Sequence, residues 1–282
     1  MPDADFDAIN QRTYRNRRVL QQYAAAAGWL EPGERVAVEF AASQRAIHTA
    51  LDIGVGGGRT AQLLAPLTDT YQAIDYSERM LEVARRRFPS LSFLSMDARH
   101  LSFSDASFDL VLFSYNGLDS VDLTGRLAIL REVHRVLRPA GVFVFSTLNR
   151  HGTAYGEAWP DFAMFRVATS PTEFLRKLAR FVLGGVNWVR QRGARQDGEE
   201  IAVGTLPAHN FGLLVLFTSL AAQCRQLRGC GFQVAAIFEP DGRSIAPDAS
   251  EPSRAPWCYF VATKVADDAS PVTRSTARYE PM

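Results

Sequence analysis

Residues 51–60 read LDIGVGGGRT, an apolar run followed by glycines at positions 54, 56 and 58, with a fourth at 57. A strand ending in such a turn and running on into a helix brings backbone N–H groups towards a ligand. Missing Cβ atoms permit the close approach. From about residue 49 to 148, the short apolar segments ALDIG, TYQAID, LSFLSMD, FDLVLFSYN and VFVFSTLN read as buried strands. Between them lie RTAQLLAPL, SERMLEVARRRF and DLTGRLAILREVHRVLRP, whose apolar residues recur at three and four positions, as on a helix. The alternation predicts a Rossmann-like, doubly wound α/β fold, its mostly parallel sheet covered by helices on both faces.

Residues 150–215 break this rhythm. Ser170, Pro171 and Glu173 supply an N-cap, a first-turn proline and a capping-box glutamate, so a helix is expected to start there. Leu175, Leu178, Val182, Val186 and Val189 follow helical spacing, although Gly184 and Gly185 weaken the middle. Next, SLAAQCRQLRGCGFQVAAIFE reads as helix, glycine cap and strand, and WCYFVATKV as a final strand. The expected organisation is one domain over 1–265 with a seven-stranded sheet. It comprises N-terminal helices (1–48), a cofactor-binding core (49–148), a helical lid insertion (150–215) and the last helix and strands (216–265). The polar stretch 266–282 is expected to be a loose tail.

The 282-residue chain is 47% hydrophobic, enough for a substantial core. Lys plus Arg number 31 against 30 Asp plus Glu, so no global charge attracts a phosphate backbone or an anionic membrane. Nucleic acid is therefore not an expected partner. Cys224, Cys230 and Cys258 form no CxxC pair and are odd in number, which suits reduced thiols in a core. The N-terminal MPDADFDAIN has no secretory pattern and no apolar run approaches a membrane span, so a cytoplasmic location without stable membrane insertion is expected.

The dinucleotide fingerprint G-x-G-x-x-G/A would begin at Gly54 and Gly56 and needs a small residue at 59, where Arg59 stands. What is present is D-x-G-x-G-x-G, from Asp52 to Gly58. Asp75 ends the second strand 21 residues after Gly54, near the spacing of an acid that accepts from ribose hydroxyls. The rival reading is a cap for the helix starting at Ser77. Asp97 in SMDARHL follows the third strand, and LRPAG stands at 137–141. In this order the landmarks resemble those of the class I S-adenosylmethionine-dependent methyltransferases, over about 45–148 and again over 216–264.

The resemblance implies S-adenosyl-L-methionine as cofactor, with Gly54, Gly56 and Gly58 around its methionine and ribose parts and Asp52 helping to hold the amino end. Asp75 falls to the ribose, with Tyr76 and Met80 in the cofactor-binding set, and Asp97 to the adenine amino group with Ala98 beside the ring. Ser114, Tyr115 and Asn116 follow the fourth strand and are expected to border the cofactor, Tyr115 facing its cation. Tyr14 and Tyr23 on an N-terminal helix either close over the cofactor or pack in the core. LRPAG resembles the family's L-x-P-G-G turn, with Ala140 replacing one glycine.

Methyl transfer from a sulfonium is an in-line displacement of a neutral sulfide, so orientation and exclusion of water supply much of the rate. A general base is needed only where the acceptor must lose a proton. His209, His151 and Tyr115 are the candidates, while His48 and His134 read as structural and His100 as a loop residue. Family members that methylate nucleobase amines usually carry N/D-P-P-Y/F where this chain has SYNG, which argues against such an acceptor. Segment 150–215 carries Tyr155, Trp159, Phe162, Phe165, Phe174, Phe181, Trp188 and Phe211, suited either to a lid over an apolar or aromatic molecule or to the lid's own packing. Its Arg176, Lys177, Arg180, Arg190 and Arg192 suit an anionic substrate, a membrane surface or a solvated face. The expected activity is transfer of a methyl group to an oxygen or nitrogen of a small molecule, in natural-product or sugar-modifying biosynthesis. The protein is expected to be a monomer or homodimer with no metal. Alternatives are an NAD-dependent oxidoreductase and a non-catalytic methyltransferase-like binding protein.

Overall fold

The computed structural model describes residues 6–14, 30–157, 170–246 and 253–265. Tyr23, Trp159, Phe162, Phe165 and the tail from 266 lie outside them. Five parallel strands, β1 (Thr49–Ile53), β2 (Thr70–Asp75), β3 (Ser92–Ser95), β4 (Phe108–Phe113) and β5 (Leu137–Leu148), form one side of the main sheet. β8 (Phe232–Phe238), β9 (Ser244–Ile245) and β10 (Trp257–Lys264) complete it in the order β3-β2-β1-β4-β5-β10-β8-β9. β10 runs antiparallel between β5 and β8. The sheet thus holds eight strands rather than seven, the extra one being the two-residue β9.

Alternate residues of the central strands feed two cores. Ala50, Leu110, Leu112, Val142, Val144, Tyr259 and Val261 pack on one face, under α2 (Pro32–Gln44), α3 (Ala61–Leu64) and α4 (Glu78–Arg87). Leu51, Val111, Phe113, Phe143, Phe145 and Phe260 pack on the other, under α5 (Leu123–Val136) and α7 (Leu220–Gly229). Both faces being buried explains why these strands read as continuous apolar runs.

The inserted segment contains α6 (Pro171–Arg190), capped as its sequence predicts by Ser170 Oγ accepting from the Glu173 amide at 3.2 Å. It also contains an antiparallel hairpin of β6 (Ile201–Thr205) and β7 (Leu214–Thr218) that the sequence pattern did not reveal. Phe6 of α1 (Phe6–Tyr14) packs on Leu214 and Leu216, fastening the N-terminal helix to this hairpin. No helix among the described residues is long and apolar enough to cross a membrane. Cys224, Cys230 and Cys258 are unpaired, and burial raises the pKa of each, that of Cys258 to about 12.

Candidate active site

A cavity of about 830 Å³ opens beyond the carboxyl ends of β1 and β4, where the strand order changes direction and open α/β sheets bind their ligands. Its floor is the glycine turn. The Gly54 amide donates to the Ile74 carbonyl at 2.8 Å, and Gly54, Gly56 and Gly58 have φ of 66°, 54° and 86°. A Cβ on Gly54 would stand 2.8 Å from the Phe113 ring, and one on Gly58 2.8 Å from Phe88. These two glycines therefore admit the protein's own aromatic rings, and Gly58 does not line the cavity. Gly56 does line it, and its amide donates to Asp75 Oδ2 at 2.9 Å.

Asp75 stands at the start of α4 and in the cavity wall. Its Oδ1 accepts from the Ser77 amide at 2.8 Å, as a cap does, while the carboxylate also lines the cavity. Burial raises its pKa, and the bonds from Ser77 and Gly56 oppose the rise. Tyr76 and Met80, on the same turn and the first turn of α4, line the cavity beside it.

Asp52 is 1% exposed. Its Oδ2 accepts from Thr60 Oγ1 at 2.6 Å and from the Tyr71 hydroxyl at 2.8 Å, yet Oδ1 is buried with no partner among the described residues. Burial lifts its pKa from 3.8 to about 7 despite those two donors. An orphaned acceptor at a cavity wall is the feature a cationic ligand group would satisfy.

Asp97 lines the cavity but is held in an ion pair with Arg99 at 2.7 Å; Arg99 also reaches Asp7 of α1 at 2.5 Å. Partial burial pushes its carboxyl up, and the Arg99 contacts outweigh this and hold it below the usual range. Ala98 lines the cavity next to it.

After β4 the chain passes through two left-handed residues, Tyr115 (φ 57°) and Asn116 (φ 58°), which turn Ser114, Tyr115 and Asn116 into the cavity wall. Asn116 Oδ1 is a second buried acceptor without a partner among the described residues. Tyr115 was expected to face a cofactor cation; the cation over its ring is Arg59, 5.1 Å from the centroid. Arg59 is tied to the fully buried Glu34 at 2.5 and 2.7 Å, and Ser114 Oγ donates to the same carboxylate. Sequence reasoning took Arg59 only as a break in the dinucleotide pattern and missed Glu34, whose partner lies on a separate element. The pair also supplies the physical reason against the nicotinamide alternative: a partly buried, paired guanidinium occupies the place where that fold needs a small residue.

The opposite wall comes from α1 and the inserted segment. Tyr14 lines the cavity, with its hydroxyl 3.1 Å from Ser120 Oγ and its ring 5.9 Å from Tyr76 and 6.2 Å from His209. Buried Asn10 docks α1 by donating to the Ser120 and Leu214 carbonyls at 2.7 and 2.8 Å and accepting from the Leu214 amide at 2.9 Å. His209 begins three consecutive left-handed residues, with φ of 57°, 52° and 56° through Phe211, a conformation costly for any residue but glycine. Asn187 of α6 buttresses this loop by donating to the Asn210 carbonyl at 2.9 Å. Burial lowers the His209 pKa, which favours the neutral imidazole. Leu148, Ala154, Leu206, Leu213, Val215 and Trp257 make the adjoining wall apolar.

His151 is not brought to the cavity. Its residue is exposed, and its amide donates to Asn149 Oδ1 at 3.0 Å in a turn directed outward. The described aromatics of the insertion do not face the cavity. Tyr155 packs on Phe217 and Trp188 on Phe211, and none of Tyr155, Phe174, Phe181, Trp188 and Phe211 lines the cavity. Among the described residues no group of three His, Cys, Asp or Glu side chains could hold a metal ion.

Residues 50–141 match the family described as "Methyltransferase domain". Residues 50–141 are therefore a methyltransferase domain. A demethylmenaquinone methyltransferase of Renibacterium salmoninarum is 34% identical over 127 residues, which are 45% of this chain and 48% of the relative. The methyltransferase GfsG of Streptomyces halstedii is 36% identical over 114 residues, 38% of this chain and 40% of that protein. The chain thus spans about half the length, or less, of these curated relatives. The fold is shared with the Burkholderia thailandensis 1,6-didemethyltoxoflavin-N1-methyltransferase, solved with its acceptor and S-adenosylhomocysteine, at a TM-score of 0.56 and 15% identity over 94% of this chain and 92% of that one.

Proposed function

We propose that this protein transfers a methyl group from S-adenosyl-L-methionine to an oxygen or nitrogen of a small, largely apolar biosynthetic intermediate. The observation that carries the reading is the two-sided cavity: orphaned acceptors and carboxylates on the sheet side, apolar side chains with a neutral histidine on the other. The residues present fit the cofactor. Asp52 Oδ1 would take its ammonium, Asp75 its ribose hydroxyls and Asp97 with Ala98 its adenine, while Gly54, Gly56, Tyr76, Met80, Ser114, Asn116 and Tyr14 surround it. When bound, the cofactor supplies an activated methyl group on a sulfonium.

The chain's own residues then have three tasks. The apolar wall excludes water and holds the acceptor, Tyr14 and Tyr76 close the cofactor side, and His209 accepts the acceptor's proton where one must leave. The two relatives and the toxoflavin enzyme are named for a quinone, an unstated acceptor and a ring nitrogen, which supports a small-molecule acceptor without choosing its atom.

The test is turnover with methyl-labelled cofactor over a panel of phenols, amines and quinones, with S-adenosylhomocysteine titrated in parallel. Labelled product from an apolar member, with His209→Gln lowering kcat about a hundredfold and leaving cofactor affinity unchanged, supports the reading. Cofactor binding without transfer to any acceptor moves the weight to a non-catalytic binding role. Transfer that survives His209→Gln removes the base but keeps the methyl transfer.

A further inference from the structure

Helix α6 turns its apolar side outward. At about 100° per residue, Leu175, Leu178, Val182, Val186 and Val189 fall on one stripe, and they are 62%, 39%, 56%, 42% and 65% exposed. The side packed on the protein holds buried Gly184 and Gly185, Asn187 bonded to the Asn210 carbonyl, and Trp188 with its ring 5.5 Å from Phe211. This inverts the arrangement of an ordinary surface helix, which buries its apolar stripe. Single exposed apolar residues need no explanation, but a continuous stripe along about four turns marks an interaction surface.

The charges beside the stripe choose the partner. Arg176 and Arg190 are exposed and Arg192 follows in the next turn, while Arg180, on the side towards the protein, donates to Asn210 Oδ1 at 3.4 Å. Glu173, the one acid between residues 171 and 195, is paired with Lys177 at 3.1 Å. A second copy of the helix laid against this stripe would bring arginines against arginines with no free acid to offset them. An anionic bilayer surface accepts both the apolar stripe and the cations.

We propose that α6 is an interfacial docking helix that lays Leu175, Val182, Val186 and Val189 into an anionic membrane surface, with its arginines at headgroup level. The surface is independent of the methyl-transfer reading. Its consequence for the site is positional, because Asn187 of the same helix holds the loop that carries His209.

The experiment is flotation of the full chain with vesicles of phosphatidylcholine alone and of phosphatidylcholine mixed with phosphatidylglycerol. The protein is expected to float with the mixed vesicles, to stay behind with the neutral ones, and to be released at high salt. Val182→Asp with Val186→Asp should abolish flotation. Arg176→Gln with Arg190→Gln should weaken partition about 30-fold, at roughly fivefold per cation. Circular dichroism and S-adenosylhomocysteine binding of both variants should match the parent, since the substituted side chains are exposed. Failure of the parent to float, or equal flotation with neutral vesicles, overturns the proposal. So does a parent dimer in light scattering that the two aspartates convert to monomer, which would assign the stripe to a second copy of the chain.

Discussion

Cofactor affinity should rise with pH, and the reason is the buried carboxyl of Asp52. Burial raises its pKa from 3.8 to about 7, and its Oδ1 has no partner among the described residues. A cationic group arriving at Oδ1 requires the ionised form. With a pKa of about 7, the ionised fraction is about 0.1 at pH 6 and about 0.5 at pH 7, so apparent affinity should increase about fivefold across that interval. Binding should also release a proton, which is read by calorimetry with S-adenosylhomocysteine in buffers of different ionisation enthalpy. Asp52→Asn keeps the acceptor for Thr60 and Tyr71 but abolishes both the slope and the proton release.

The sign for stability is the reverse. Without ligand the folded state holds a proton that the unfolded chain has already lost between about pH 4 and pH 7. The stabilising contribution of Asp52 is therefore full below about pH 4 and declines as pH rises to about 7. An affinity that is flat from pH 6 to 7, or a slope that persists in Asp52→Asn, would refute the assignment of this carboxyl to the ligand's cation.

Other perturbations probe the frame around the site. Ala140 is exposed and left-handed (φ 58°), so Ala140→Gly should stabilise the fold by about 1 kcal/mol in denaturant melts; no gain would show that the turn is not strained. Arg126 and Asp119 are fully buried and ion-paired, with Arg126 also bonded to Thr147 and Gln223 and Asp119 to the Leu148 amide. Removing one partner by Arg126→Met should cost about 3–5 kcal/mol of stability, and a smaller loss in the same melts would mean that water compensates the stranded carboxylate. Asn10→Ala breaks the three bonds that dock α1, so proteolysis within α1 should accelerate and turnover fall, with melting of the sheet core little changed. Asp75→Ala should weaken S-adenosylhomocysteine at least tenfold by losing the ribose acceptor, and unchanged affinity would leave Asp75 as a cap only.

The parallel core was legible because a strand buried on both faces is largely apolar, as β1 and β4 are apart from Thr49, Asp52 and Asp109, and as β5 is from Val142 to Phe145. The sheet side of the cavity was legible too, since a left-handed turn leaves glycines in a fixed order and acids at strand ends follow at fixed distances. The reason first attached to two of those glycines was incomplete. Gly54 and Gly58 make room for Phe113 and Phe88, which lie 59 and 30 residues further along the sequence.

Tertiary structure alone decided the other wall. Glu34 meets Arg59, Asn10 meets Leu214, and Tyr14 meets His209 only because elements far apart in sequence are folded together. No periodicity records such pairings. His151 and His209 carried equal weight as residues beside the sheet, and only the turn at Asn149 and the left-handed loop through Phe211 put one outside the cavity and the other in its wall. For α6, sequence periodicity determined that a stripe exists. Which side of the helix the protein covers depends on the packing of Gly184, Gly185 and Trp188, and that packing left the apolar stripe facing outward.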